Sequence, residues 1–198
     1  GSEMCIRDRY REMAGEKISV LGFGCMRFPT TSKNAEDIDA EKSAKMLEYA
    51  IENGVNYFDT AYVYHGGKSE SFIGGVLKPY RDKIHIATKC PTWEVKCEED
   101  LDRLLNEQLE RLQTDYIDFY LMHALDKDRF KNVVEKFNLI DKLNKAKADG
   151  KIRHIGFSFH DDVETLKKII DANPNWEFCQ IQLNYICLLY TSDAADDS

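Results

Sequence analysis

Short apolar runs alternate with amphipathic stretches at a spacing of roughly thirty residues, which is typical of repeated βα units. Each run is rich in β-branched or aromatic residues, as strands that are buried on both faces require. The alternation therefore predicts a parallel sheet whose strands are connected by helices. Six runs fit this description: Val20–Gly24, Val55–Asp59, Ile84–Lys89, Tyr116–His123, Ile152–Ser158 and Phe178–Asn184.

The stretches between the runs have the periodicity of helices with one buried face. Gly54 and Gly150 precede the second and fifth predicted strands, where a residue that tolerates left-handed geometry ends a helix. Asn173-Pro174 ends the fifth predicted helix in the same way. The apolar positions that we expect to face the core are Leu101, Leu104, Leu105, Leu109 and Leu112 in one helix, and Val133, Phe137, Ile140 and Leu143 in the next.

A β-hairpin is predicted ahead of the first parallel strand. Tyr10–Met13 and Lys17–Val20 flank the turn residues Ala14-Gly15-Glu16. We expect this hairpin to cap one end of the structure.

The composition excludes several classes of protein. With 43% hydrophobic and 31% charged residues, the chain differs from disordered and fibrous proteins. The net charge of −8 argues against nucleic-acid partners and anionic membranes, because both require a basic patch. No apolar run approaches the ~20 residues of a membrane span and no secretion signal is visible, so we expect a cytoplasmic protein. The six cysteines contain no CxxC pair, which predicts free thiols and no metal site.

Polar side chains stand where three of the predicted strands end. In a barrel of parallel strands the reactive groups gather at the carboxyl ends of the strands. Asp59 ends the second strand, with Tyr64 five residues later, Lys89 ends the third strand and His123 ends the fourth. We therefore expect a carboxylate, a phenol, an ammonium and an imidazole to meet at one edge of the sheet.

This set of groups suits the reduction of a carbonyl. Hydride from a bound nicotinamide reaches the carbon, while a poised acid must protonate the developing alkoxide. Tyr64 is the candidate donor, because a free phenol with a pKa of about 10 becomes more acidic when an ammonium such as Lys89 stabilises its phenolate. Asp59 is expected to pair with Lys89, and His123 to orient the substrate oxygen and to help relay the proton.

Five segments of the chain resemble the aldo-keto reductase family. They are VLGFGCMRFP (Val20–Pro29), DTAYVYHGGKSE (Asp59–Glu70), DFYLMHALD (Asp118–Asp126), IRHIGFSFHD (Ile152–Asp161) and CQIQLNY (Cys179–Tyr185). The resemblance implies an α/β fold, namely a partial (β/α)₈ TIM barrel with about six of its eight βα units. It is strongest to a bacterial branch whose members often have a C-terminal iron–sulfur region, and no cluster is expected in this fragment.

The resemblance also implies roles for individual residues. Asp59, Tyr64, Lys89 and His123 match the catalytic tetrad of the family, and the implied cofactor is NADP, with NAD as the alternative. Ser158 and Gln180 match positions that hydrogen-bond the nicotinamide carboxamide, while Gly24 and Met26 lie near cofactor and substrate. One position departs from the pattern, since many members have Asn where this chain has Phe159. His65, His85, His154 and His160 are expected at the surface or beside the site, without a role of their own.

Both ends of the chain lack the pattern of a folded segment. Gly1-Ser2 is typical of a cleaved tag, and codons for Met4–Arg9 can be the reverse complement of codons for Cys187–Thr191. Such an element resembles a sequencing adapter, with Ser192–Asp197 as its continuation. We therefore expect tag and adapter-encoded residues at 1–9, a truncated barrel at 10–186 and an adapter-encoded tail at 187–198.

Truncation after the sixth strand would remove two βα units that bind cofactor in the family. We expect impaired activity, and a homo-oligomer that forms through the unpaired edges of the first and sixth strands. Three hypotheses follow: an NADPH-dependent reductase of a small-molecule aldehyde or ketone, a nicotinamide-binding module without turnover, and a catalytically inactive, self-associating fragment.

Overall fold

The computed structural model describes residues 9–182. The predicted tail at 187–198 and all of segment 1–9 except Arg9 lie outside the described residues. The chain begins with an antiparallel hairpin of strands β1 (Tyr10–Met13) and β2 (Glu16–Ser19). Its two-residue turn places Ala14 and Gly15 at φ 52° and 85°, as a tight hairpin with two left-handed residues requires.

A parallel sheet of six strands follows the hairpin, in the order in which the strands occur along the chain. Each strand pairs with the next one, and helices alternate with strands, so the predicted partial (β/α)₈ architecture is confirmed. The strands are β3 (Phe23–Gly24), β4 (Tyr57–Asp59), β5 (His85–Cys90), β6 (Ile117–Leu125), β7 (Ile152–Phe159) and β8 (Phe178–Ile181).

Side-chain caps define two helix starts, and two helices end at the glycines predicted from the sequence. Asp39 and Asp162 cap two helix N-termini by accepting hydrogen bonds from backbone N–H groups. Gly54 and Gly150 follow two helix C-termini with φ of 90° and 78°. The helices are α1 (Ala40–Glu52), α2 (Lys68–Leu77), α3 (Glu99–Leu112), α4 (Lys127–Arg129), α5 (Leu139–Ala148) and α6 (Val163–Ala172).

The first parallel strand is shorter than the predicted Val20–Gly24. The backbone N–H of Val20 still donates to Arg9 at 2.7 Å, so this residue continues the hairpin. The chain then bends, and Val20 and Leu21 are 61% and 70% exposed before β3 begins at Phe23. Val20 therefore extends the pairing of the hairpin and does not pair in the parallel sheet.

The predicted stripe from Val133 to Leu143 packs in or against the core as expected, but it is not the face of one continuous helix. A π-helical turn (Phe130–Glu135) and a left-handed Asn138, with φ of 49°, separate it from α5. The extra backbone length of the π turn rotates the side chains that follow. The buried side chains are consequently Phe130, Val134, Leu139 and Leu143, and Val133, Phe137 and Ile140 are partly buried.

The core has two parts. The larger part lies between the sheet and the helices and includes the leucine stripe of α3, with Leu101, Leu104 and Leu105 at most 1% exposed. In the smaller part, Ile18 of the hairpin, which was predicted to cap one end of the structure, packs against Ala87, Phe119 and Leu121 of the sheet. Within residues 9–182, no helix has the length and apolar character needed to cross a membrane.

Candidate active site

The ammonium of Lys89 is the centre of a polar cluster at the carboxyl ends of β4 and β5. Lys89 is 2% exposed, and its Nζ lies 2.6 Å from Asp59 Oδ1 and 2.8 Å from the backbone oxygen of Thr60. The hydroxyl of Tyr64 lies 3.4 Å from the same Nζ. Since the ammonium has three N–H donors, one group can serve all three oxygens.

Tyr64 reaches Lys89 because the chain turns sharply after β4. The segment Tyr64–Gly67 forms a 3₁₀ turn that runs directly into α2, and the Tyr64 N–H donates to Ala61. The ring of Tyr64 lies beneath the ammonium, with 5.0 Å from Lys89 Nζ to the ring centroid. The Tyr64 hydroxyl therefore lies close to the positive charge of Lys89.

Asp59 balances the charge of Lys89 in a buried setting. Burial raises the pKa of the Asp59 carboxyl, while the Lys89 ammonium and the Gln180 side chain oppose that rise. The Lys89 ammonium, 2.6 Å from Oδ1, stabilises the ionised form of this carboxyl. A carboxylate there fixes the lysine side chain in one orientation.

His123 lies on the other side of Tyr64, at the point where β6 loses its regular pairing. The two ring centroids are 6.3 Å apart and the rings meet edge to face. Burial, with the positive charge of Lys89 as a second cause, lowers the pKa of His123 to about 3. His123 is therefore a neutral imidazole at pH 7. Its buried Nδ1 has no hydrogen-bond partner among residues 9–182.

The four residues that we expected to contact cofactor lie around this cluster but differ in exposure. Gly24 pairs with Asp59 across the sheet, and a side chain at Gly24 would have nothing within 4 Å. Met26 is 54% exposed, whereas Ser158 is only 4% exposed. Ser158 and Gln180 are register partners in β7 and β8, so they face the same edge of the sheet.

Ser158 already has a partner within the protein. Its Oγ accepts a hydrogen bond of 2.7 Å from the backbone N–H of Ala124, the residue that follows His123. The hydroxyl hydrogen of Ser158 remains available for a second acceptor. This side chain can therefore hold the end of β6 and contact a ligand at the same time.

The sequence of the chain matches a known protein family over most of its length. The model of the aldo/keto reductase family matches residues 20–196. The chain belongs to the aldo/keto reductase family. The cluster of Asp59, Tyr64, Lys89 and His123 therefore lies in a member of the family whose catalytic tetrad these residues were predicted to match.

Individual aldo-keto reductases support the assignment. A probable aldo-keto reductase of Glycine max is 32% identical over 153 residues, which cover 73% of this chain and 42% of that protein. A thermostable aldo-keto reductase solved with the inhibitor epalrestat has a TM-score of 0.75 at 29% identity, covering 93% of this chain and 66% of that one. One from Klebsiella pneumoniae, solved with NADP and acetate, has a TM-score of 0.65 at 25% identity, covering 81% and 52%. The chain spans about half the length of the curated relatives it matches.

Sequence reasoning missed residues of this aldo-keto reductase that support the cluster. Glu70 is fully buried, and its Oε1 accepts hydrogen bonds of 2.6 Å from both Thr88 and Gln108. Gln108 also donates to the backbone oxygen of Lys89 at 3.1 Å. Glu70 lies inside the segment Asp59–Glu70 that revealed the family, so the signal was present, but the pairing with Gln108 depends on α3 packing against β5.

Two aromatic residues near the cluster also had no predicted role. The ring of Trp93 lies 5.1 Å from that of His123 and is 40% exposed, so it forms an apolar wall beside the imidazole. His65, expected at the surface or beside the site, is buried at 7% exposure. Its ring binds two backbone groups of another loop.

Proposed function

We propose that this chain contains the catalytic centre of a reductase that converts an aldehyde or ketone to an alcohol with NADPH, NADH being the alternative. The observation that supports it most is the position of Lys89 Nζ, 2.6 Å from Asp59 Oδ1 and 3.4 Å from the Tyr64 hydroxyl. In this geometry the Tyr64 hydroxyl can donate its proton to a substrate oxygen beside an ammonium that stabilises the negative charge left behind. A cytoplasmic location, where reduced nicotinamide is available, is part of the proposal.

The residues at the mouth of the cluster fit a nicotinamide. The open space beside Gly24 leaves room for a planar ring. Ser158 and Gln180 would hold the carboxamide, with Gly24 and Met26 beside the ring. When bound, reduced nicotinamide supplies hydride to the carbonyl carbon.

The side chains of the cluster handle the proton and the orientation of the substrate. His123, as a neutral imidazole, hydrogen-bonds the carbonyl oxygen without adding a charge. The Tyr64 hydroxyl donates its proton to that oxygen as negative charge develops there, and Lys89 stabilises the phenolate that remains. Asp59 holds Lys89 in place, and Trp93 shields the substrate from water.

Replacement of Tyr64 by phenylalanine, which removes only the hydroxyl oxygen, tests this assignment. Oxidation of NADPH by phenylglyoxal, followed by absorbance, should fall at least about 100-fold in Tyr64→Phe, because proton donation is lost. Tyr49→Phe is the matched control, since Tyr49 is 68% exposed on α1. Equal rates in wild type and Tyr64→Phe would refute the proposal.

Calorimetric titration with NADPH and with NADH distinguishes the two cofactors.

A homo-oligomer is a separate part of the proposal. Leu21 beside β3 and Ile181 in β8 are 70% and 53% exposed, and no strand within residues 9–182 covers the outer edges of β3 and β8. Such apolar edges favour pairing with another copy. Light scattering should give at least twice the monomer mass, and a monodisperse monomer would contradict this part alone.

A further inference from the structure

The backbone immediately after Tyr64 is left-handed for three consecutive residues. His65, Gly66 and Gly67 have φ of 53°, 63° and 89°. Glycine adopts such angles freely, and a Cβ at Gly66 would require the exposed Glu36 side chain to shift. A residue with a Cβ is less stable than glycine at a left-handed position, and contacts of the His65 ring offset that cost.

Those contacts come from the loop between β3 and α1, residues 25–39. The Nε2 of His65 accepts a hydrogen bond of 3.0 Å from the backbone N–H of Phe28. The other ring nitrogen, Nδ1, lies within hydrogen-bond distance of the backbone oxygen of Ala35. Since an N–H donor occupies Nε2, the hydrogen of the ring is on Nδ1 and is donated to Ala35. One neutral imidazole thus binds both halves of the loop.

The exposed part of the loop is internally connected, and it is attached to the Tyr64 turn by the His65–Ala35 hydrogen bond and to α2 by an exposed ion pair of 3.4 Å between Glu36 and Lys68. Thr30 and Ile38 form an isolated bridge, and the Thr31 N–H donates to Asp37. Phe28 packs against Phe72 of α2 with the ring centroids 5.2 Å apart. Residues 30–36 are exposed, so His65 supplies an anchor for the whole segment.

We propose that His65 is a positioning residue that fastens the β3–α1 loop to the turn that presents Tyr64, an inference that rests on the proposed function. The two hydrogen bonds fix the peptide that follows Tyr64 and compensate for the left-handed backbone. Without them, the turn relaxes and the phenol hydroxyl moves away from Lys89. His65 touches neither substrate nor cofactor in this role.

Two measurements test the fastening without reference to activity. In the wild type, nitrogen NMR of labelled histidine should show His65 as the neutral tautomer with hydrogen on Nδ1. In His65→Gly, which keeps the backbone angle accessible, hydrogen exchange of the Phe28 amide should accelerate at least about tenfold, the factor for loss of one stable hydrogen bond. The amide of Thr88, inside the sheet, should be unchanged.

Two further measurements test the positioning of Tyr64. The ring carbon signal of labelled Tyr64 should shift in His65→Gly, and kcat should fall on the order of 10- to 100-fold while KM for NADPH stays the same. His65→Asn should restore most of kcat, because asparagine tolerates the left-handed region and retains one donor and one acceptor. Lys33→Gly, on the exposed part of the same loop, is the matched control and should behave as wild type.

The outcomes separate this inference from the proposed function. Unchanged Phe28 exchange in His65→Gly, or the opposite tautomer in the wild type, would overturn the fastening. Faster exchange with an unshifted Tyr64 signal would overturn the positioning. If the wild type has no Tyr64-dependent turnover, the proposed function fails, and the exchange and ring signals still decide the role of His65. If His65→Gly does not fold, His65→Asn and the wild-type tautomer decide it.

Discussion

Ser158 holds Ala124 in place: its Oγ accepts a hydrogen bond of 2.7 Å from the Ala124 N–H. Ala124 has φ of 54° and lies in the irregular stretch of β6 between Met122 and Leu125. Arg129 donates to the backbone oxygen of Ala124, also at 2.7 Å. Both the N–H and the C=O of this left-handed residue therefore have hydrogen-bond partners. The position of the preceding residue, His123, depends on this arrangement.

Replacement of Ser158 by alanine should therefore destabilise the protein. The Ala124 N–H loses its acceptor in a buried place, which costs about 1–3 kcal/mol of the free energy of unfolding. Urea denaturation followed by circular dichroism measures the loss. Ser71→Ala, at an exposed position of α2, is the control and should not lower the urea midpoint. A midpoint for Ser158→Ala equal to that of wild type would show that the hydrogen bond contributes nothing.

Lys89→Met should lower the free energy of unfolding more than replacement of both Lys89 and Asp59 does. The single variant leaves the Asp59 carboxylate buried without its cation, a loss of about 3–5 kcal/mol in the free energy of unfolding. Asp59→Asn together with Lys89→Met should recover much of it. A double-mutant cycle in urea measures the coupling, with Lys45→Met, whose partner Glu41 is 80% exposed, as a control expected to match wild type. Additive effects would contradict a coupled pair.

His123 should make the protein less stable in acid. Its pKa of about 3 in the folded state lies below the value of 6.5 for a free histidine, so the unfolded chain binds the proton first as pH falls. The contribution to stability is complete above pH 6.5 and is lost progressively down to pH 3, with a slope of at most about 1.4 kcal/mol per pH unit.

Comparison with His123→Gln isolates this effect. Free energies of unfolding at several pH values below 6.5 should fall less steeply in the variant than in wild type. Asp59 and Glu70, whose burial raises their pKa values, act in the opposite direction but are present in both proteins and cancel in the difference. Parallel pH profiles would refute the buried neutral imidazole.

The described cysteines should differ sharply in reactivity. Cys97 and Cys179 are exposed, whereas Cys25 and Cys90 are buried, and burial raises the pKa of the Cys90 thiol to about 12. In a Cys5→Ser/Cys187→Ser background, a chromogenic disulfide reagent should modify two thiols rapidly and the other two only after addition of denaturant. Rapid modification of all four in native buffer would contradict the packing around β3 and β5.

Local patterns were sufficient for the strands and for the four groups at their ends. Runs of β-branched and aromatic residues predicted the strands, and the parallel arrangement then required Asp59, Lys89 and His123 to lie at one edge. The pattern failed where two local structures competed, as at Val20, which pairs in the hairpin, and at Asn138, which breaks a helix. The catalytic and cofactor roles of these residues stay predictions until the experiments above are done.

The sequence by itself determined the family, the order of strands and helices, and which residue types meet at the mouth of the sheet, because periodicity and motif spacing are local properties. Only the tertiary structure decided that the His65 ring binds the loop between β3 and α1, that Ser158 supports Ala124 and that His123 is neutral. Each of these depends on desolvation, or on a hydrogen bond between segments more than thirty residues apart. Such contacts are set by how the strands and loops pack, and no local pattern encodes them.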